Sequence, residues 1–286
     1  MNRGPVDLPH LGAQCADTHA HLNMLDDPAG ALERATMAGV MFIVTVADAT
    51  ETPRATYDEL PAWHQQAQDR LDEWNVPHGV PPEVRIIVGA HPHNAKDYDQ
   101  SVAEEIKSLV ADPRTVGIGE IGLDFHYDHS PRDAQRHAFR EQLAIAKDLD
   151  IPVVIHMRDA VDEGVQILKE IGIPKAGCVL HCFSEGPSEA ETYLEMGCHL
   201  SFAGPVTFKN ADKLRAAVAA VPLERLLVET DSPFLAPEPH RGRTNEPALT
   251  TITVAAIAEI RAEDTATVAL ATIANARGLF RDDRSG

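Results

Sequence analysis

Residues 152–184 read PVVIHMRDAVDEGVQILKEIGIPKAGCVLHCFS, and this stretch decides the fold. A short apolar run, 152–156, ends in His156. Behind it, DAVDEGVQILKEIG (159–172) repeats apolar residues at helical spacing after an aspartate start. A second apolar run, 177–182, carries His181. Strand, helix and strand in about thirty residues describe a parallel βαβ unit. Polar side chains at the carboxyl ends of such strands are delivered to the functional face of the sheet.

The same alternation extends in both directions. Strands are expected at 14–21, 41–47, 84–90, 115–121, 152–156, 177–182, 198–203 and 225–230. Between them lie helical patterns such as AGALERATMAG (29–39), DQSVAEEIKSLVA (99–111) and NADKLRAAVAAV (210–221). Repeated strand–helix alternation predicts a parallel sheet. About eight such units in 286 residues fit a closed (β/α)8 TIM barrel, a fold of about 250 residues, as a single domain over 1–286. An open doubly wound sheet is the rival, but no glycine-rich phosphate fingerprint follows the first strand. Two segments fall outside the alternation. The polar stretch 51–83, with Trp63 and Trp74, is expected to form a helix and a loop decorating one barrel end. Residues 246–281 read as two closing helices.

Composition narrows the partners. Hydrophobic content of 44% supplies a large core, and no apolar stretch is long enough to span a bilayer or form a signal peptide. Cys15, Cys178, Cys182 and Cys198 form no CxxC pair, so they read as reduced thiols of a cytoplasmic protein, with Cys178 and Cys182 inside the strand that bears His181. A net charge of −19 argues against coating a long duplex, because phosphate neutralisation dominates such binding. A nucleic-acid substrate would have to be held locally, which suits a strand end.

Six residues at or just past the ends of apolar runs carry the chemistry: His19 and His21 in ADTHAHL, Glu120 in VGIGEIGLD, His156, His181, and Asp231 in LLVETDSP. Imidazole and carboxylate are the ligands of a borderline divalent metal such as zinc or manganese. Singly, each is as readily structural. A His-x-His pair is common, and a histidine after a valine run is more often a hydrogen-bonded core residue. Six of them ordered along one barrel point to a metal-dependent hydrolase. On an extended strand His19 and His21 face one side, with Asp17 placed to orient them. The two oxygens of Glu120 can bridge two cations, and Asp124, after a short turn, is a candidate for orienting a ligand. Pro92 puts the second His-x-His, His91 and His93, in a loop, where His93 suits contact with a substrate phosphate better than a metal. His126, Arg158, Arg241, Arg243 and Asn245 are further candidates for substrate contact.

Read together, DTHAHL (17–22), VGAHPHNA (88–95), GIGEIGLDF (117–125), SPRDAQRHAFREQLAIAKDLDIPVVIHMRDA (130–160), VLHCFSE (179–185), ETDSPFLAP (229–237) and RGRTNEP (241–247) resemble the TatD family of metal-dependent deoxyribonucleases, within the amidohydrolase-like barrel superfamily. The resemblance runs from about Asp17 to Phe280. It implies two adjacent divalent cations (zinc, manganese or magnesium): His19, His21 and Asp231 at one, His156 and His181 at the other, and Glu120 bridging. With the charge of −19, the expected reaction is hydrolysis of DNA phosphodiesters at strand ends, with Asp231, a carboxylate beside the metals, as the proton acceptor. The chain departs from the family pattern in the length of 51–83 and in Glu185, where a glycine commonly follows the serine. The alternatives are a metal-dependent amidohydrolase or esterase acting on a small molecule, and a metal-loaded binding protein without turnover.

Overall fold

The computed structural model describes residues 7–74, 76 and 79–281. Among these, eight strands lie side by side in chain order: β1 (Cys15–Ala20), β2 (Val40–Asp48), β3 (Glu83–Gly89), β4 (Thr115–Asp124), β5 (Val153–Arg158), β6 (Cys178–Leu180), β7 (His199–Phe202) and β8 (Leu226–Val228). Every neighbouring pair along this order is parallel. The first seven strands are followed in turn by α1 (Pro28–Ala38), α2 (Pro53–Glu73), α3 (Gln100–Val110), α4 (Arg132–Leu149), α5 (Val161–Ile171), α6 (Pro187–Glu195) and α7 (Asp212–Ala220). Two more helices, α8 (Thr250–Arg261) and α9 (Thr265–Leu279), follow β8. The fold is the (β/α)8 barrel that the alternation predicts.

Alternate residues of β2 divide between two apolar shells, as the two-residue strand period requires. Phe42, Val44 and Val46 join Ile87, Val116, Val154, Val179 and Leu227 in one cluster, while Ile43 and Ala47 join the shell under the helices. Ile273, Ala276, Leu279 and Phe280, from α9 and the residue after it, complete the first cluster. They meet residues near the starts of several strands and so plug the amino-terminal end of the barrel. The opposite, carboxyl end is left for chemistry.

The barrel closes between β8 and β1 without a regular ladder. Both oxygens of the buried Asp17 carboxylate are used there: Oδ1 accepts from the Thr230 amide at 2.9 Å and Oδ2 from Thr230 Oγ1 at 2.6 Å. The Asp231 amide donates to the His19 carbonyl at 2.9 Å and the His21 amide to the Ser232 carbonyl at 2.8 Å. This seam fixes the backbone on both sides of His19, His21 and Asp231.

Several boundaries differ from the sequence expectation. β6 and β8 are three residues long, because the chain soon turns out of each at a left-handed residue, Cys182 (φ +45°) and Asp231 (φ +55°). Cys182 therefore lies beyond the strand rather than within it. β4 runs on to Asp124, which ends the strand instead of following a turn. Segment 51–83 is not a decoration outside the alternation. Its helix α2 is the regular helix after β2, burying Tyr57, Leu60, Trp63, Ala67 and Leu71 along one stripe. The polar composition of its outer face hides that stripe. Residues 75, 77 and 78 of the segment lie outside the described residues.

Because Asp17 accepts three buried hydrogen bonds, counting one from the His19 amide at 3.3 Å, Asp17→Ala should cost about 2–4 kcal/mol in urea unfolding. Asp17→Asn should cost less, since it keeps one acceptor oxygen. An alanine variant within about 0.5 kcal/mol of the parent would show that closure does not rest on this carboxylate.

Candidate metal centre

Glu120, near the end of β4, is buried at the carboxyl mouth of the barrel with five imidazole rings around it. Its two oxygens face different groups. His19 Nε2 lies 3.2 Å and His21 Nε2 3.8 Å from Oε2. His91 Nε2 lies 3.2 Å, His156 Nδ1 2.7 Å and His181 Nε2 2.7 Å from Oε1. Asp231 flanks the first group, its Oδ1 at 3.5 Å from His21 Nε2 and 4.0 Å from His19 Nε2. All six residues singled out from the sequence thus converge in one place.

The rings are oriented from behind by further carboxylates. Asp124 Oδ2 meets His156 Nε2 at 3.0 Å and His93 Nε2 at 2.9 Å, while its Oδ1 accepts from the amides of His126 and Tyr127. Glu229 is fully buried; its Oε1 accepts from the Cys182 amide at 2.6 Å and lies 3.2 Å from His181 Nδ1. Gly122 stands opposite His156 in the β4–β5 register at φ +144°, where a Cβ would collide with the His156 carbonyl. Only glycine lets β4 lie that close to the histidine.

The charges follow from this crowding. Burial opposes ionisation of Glu120, but the charges of His181, His91 and His19 and the hydrogen bond to His156 hold its carboxyl well below the usual carboxylate range. Burial likewise opposes charging of His181, and Glu120 and Glu229 outweigh it, holding that imidazole well above its ordinary value. Three sets of these donors lie close enough to share a cation: His19, His21 and Glu120; His91, Glu120 and His156; and His19, His181 and Glu229. His19 Nδ1 and Glu229 Oε2 are buried without a hydrogen-bond partner among the described residues. A nitrogen–oxygen donor set with unsatisfied buried members fits a divalent metal.

A cavity of about 520 Å³ opens above Glu120, lined by His21, His91, His93, His156, Asp231 and Arg158 among others. His93 and Arg158 are therefore at the mouth, with the Arg158 guanidinium 4.8 Å over the Tyr127 ring. Other substrate-contact candidates are elsewhere. His126 faces Asp159 at 3.0 Å and Arg241 lies over the Phe208 ring at 4.1 Å, and neither lines the cavity. Asn245 is fully buried, its Nδ2 donating to the carbonyls of Thr230 and Phe234. Glu185 pairs with Lys213 at 3.0 Å. Two members of the cluster, His91, noted only as the partner of His93, and Glu229, have no role assigned from the sequence. His91 was hidden by its place before a proline, and Glu229 by its place two residues ahead of Asp231.

Residues 16–281 match the model of the TatD related DNase family. The chain belongs to this family. It is 39% identical to the metal-dependent hydrolase YabD of Bacillus subtilis, over 93% of this chain and 98% of that protein. It is also 39% identical to the 3'-5' ssDNA/RNA exonuclease TatD of Klebsiella pneumoniae, over 69% of this chain and 77% of that protein. Among solved structures, YjjV, a TatD homologue from Escherichia coli, superposes with a TM-score of 0.78 at 28% identity, covering 93% of this chain and 97% of that one. As a family member the chain is a metal-dependent hydrolase, and no helix among its described residues is long and apolar enough to cross a membrane.

If Glu120 is shared between cations, Glu120→Gln should lower the bound divalent metal by half or more while circular dichroism shows an intact fold. Full metal content in that variant, by elemental analysis after gel filtration, would remove Glu120 from the centre.

Proposed function

We propose that this member of the family is a two-metal phosphodiesterase that removes nucleotides from the ends of single-stranded nucleic acid. The observation that carries this reading is the division of Glu120 between two donor groups, Oε2 towards His19 and His21 and Oε1 towards His91, His156 and His181. On this reading His19, His21, Glu120 and Asp231 hold one cation, and Glu120, His156 and His181 hold the other with His91 added. Zinc, manganese and magnesium all suit such nitrogen and oxygen donors, the last more weakly. When bound, two such cations supply the Lewis acidity that polarises a phosphoryl oxygen and makes water a nucleophile near neutral pH.

The remaining work falls to the chain. Asp231, fixed at φ +55° by the seam, keeps its carboxyl ionised: burial opposes the charge, and the hydrogen bond to His21 and the charges of His181, His21 and His19 overcome it. An ionised carboxylate beside the reacting centre accepts the proton of the attacking water. Asp124 and Glu229 hold the His156 and His181 rings in place, which fixes where their nitrogens point. Arg158, the one arginine or lysine among the described residues lining the cavity, and His93 meet the substrate phosphate. His126 and Arg241 stay clear of the reacting phosphate on this reading.

The name of the Klebsiella relative, a single-strand exonuclease, supports the choice of substrate. So does the charge of −19, which leaves binding to contacts at the mouth rather than to a basic surface.

Linear end-labelled single strands should be shortened stepwise, while closed circular single-stranded DNA, which has phosphates but no ends, should survive. Circles cut as fast as linear strands would replace the strand-end reading with an endonuclease, and hydrolysis of lactones or cyclic amides alone would replace phosphodiesters altogether. Asp231→Asn should stay folded and keep at least one metal but lose turnover by about 10²-fold or more, since the amide retains an oxygen ligand and cannot take the proton. Near-parent rates in that variant would reduce Asp231 to a simple ligand.

A further inference from the structure

Nine large hydrophobic side chains are exposed among the described residues, and four of them, Met24, Tyr127, Phe234 and Leu235, line the cavity above Glu120. Exposed apolar surface concentrated at one mouth marks a binding surface rather than scatter. The two aromatic rings differ in what remains open. Tyr127 carries the Arg158 guanidinium 4.8 Å from its ring centre and stacks on His129 at 5.5 Å, so its faces are engaged. Phe234, 47% exposed, has an edge-on contact with His21, centroids 6.0 Å apart. Nearly half of this side chain is open to solvent beside a residue of the metal cluster.

The backbone under this ring is fixed. The Phe234 amide donates to the Asp231 carbonyl at 2.9 Å, and the buried Asn245 Nδ2 donates to the Phe234 carbonyl at 2.7 Å. Asn245 also ties the same loop through its amide, to the Pro233 carbonyl at 3.0 Å. A face held in place before binding loses little freedom when a ligand covers it. The rest of the rim sorts the ligand by charge. Arg158 favours phosphate, whereas Asp48 and Glu51, which also line the cavity, disfavour it near them. Phe234, Leu235 and Met24 offer apolar contact.

Resting on the nuclease reading above, we propose that Phe234 is the platform on which the nucleobase next to the scissile phosphate stacks. Stacking on an aromatic face tolerates every base, because each has a π-face, and adds affinity without a basic groove. A base inside a duplex has both faces covered by its neighbours, so the platform selects an unpaired end. Phe234 would position substrate and take no part in the proton transfers at Asp231.

The test is a cycle of two changes: Phe234→Ala in the protein, and an abasic tetrahydrofuran residue in place of the terminal nucleotide of a single-stranded substrate. The parent protein should show a KM about 5- to 100-fold higher for the abasic end. Phe234→Ala should raise KM for the normal end by a similar factor and lose most of the discrimination, while Phe234→Trp retains it. A parent protein indifferent to the missing base, or an alanine variant that discriminates as before, overturns the proposal and leaves the nuclease reading standing. Absence of cleavage of both substrates by the metal-loaded parent overturns the nuclease reading and this inference with it. A Phe234-dependent dimer in light scattering would assign the apolar rim to a second copy of the chain and overturn it too.

Discussion

A buried carboxylate cannot stand alone, and at the mouth of this barrel the carboxylate is Glu120. Removing such a charge from water costs several kcal/mol unless partners replace the lost hydration. Five imidazole nitrogens between 2.7 and 3.8 Å surround it. Imidazoles crowded this closely cannot all be protonated, because like charges oppose one another, and nitrogens left neutral beside a buried anion suit a divalent metal. The outer carboxylates extend the same logic: Asp124, Glu229 and Asp231 each meet one or more of the rings. The constellation draws on β1, β4, β5, and the segments after β1, β3, β6 and β8. Closing the sheet into a barrel is what brings those ends to one point.

The seam between β8 and β1 shows how closely folding and chemistry are joined. The chain spends a buried aspartate, Asp17, on the backbone and hydroxyl of Thr230 at the place where a regular ladder is missing. In return the backbone beside Asp231 is held in a left-handed conformation that an aspartate adopts only at some cost. The carboxylate is aimed at the histidine cluster instead of continuing outwards along the strand. Three residues later the same loop exposes Phe234, pinned from below by Asn245. One short segment, 229–235, thus carries a ring-orienting carboxylate, the proposed proton acceptor and an apolar rim.

Much of this was legible in the sequence because strand and helix periods are strong signals and a barrel puts strand ends in one plane. His156 and His181 stood out as polar residues ending valine- and leucine-rich runs, and β5 and β6 carry them to the mouth as that pattern requires. What was not legible depends on side-chain direction in irregular backbone. His91 sits before Pro92, where no period says which way a ring turns. Glu229 falls within the run 225–230, whose apolar pattern predicts strand, so nothing in that pattern separates its carboxylate from the barrel wall. Asn245, Arg241 and His126 look alike in sequence as polar residues near motifs, yet one is a buried backbone clamp and two lie outside the cavity. The stripe of α2 was present as Tyr57, Leu60, Trp63, Ala67 and Leu71 but was outweighed by the polar residues between them.

Anomalous scattering from crystals of the metal-loaded protein, collected on both sides of the absorption edge of the bound metal, tests the central claim most directly. Two peaks should flank Glu120, one within bonding distance of Oε2 beside His19 and His21, the other of Oε1 beside His156 and His181. A single peak, or peaks that leave Glu120 uncoordinated, would contradict it.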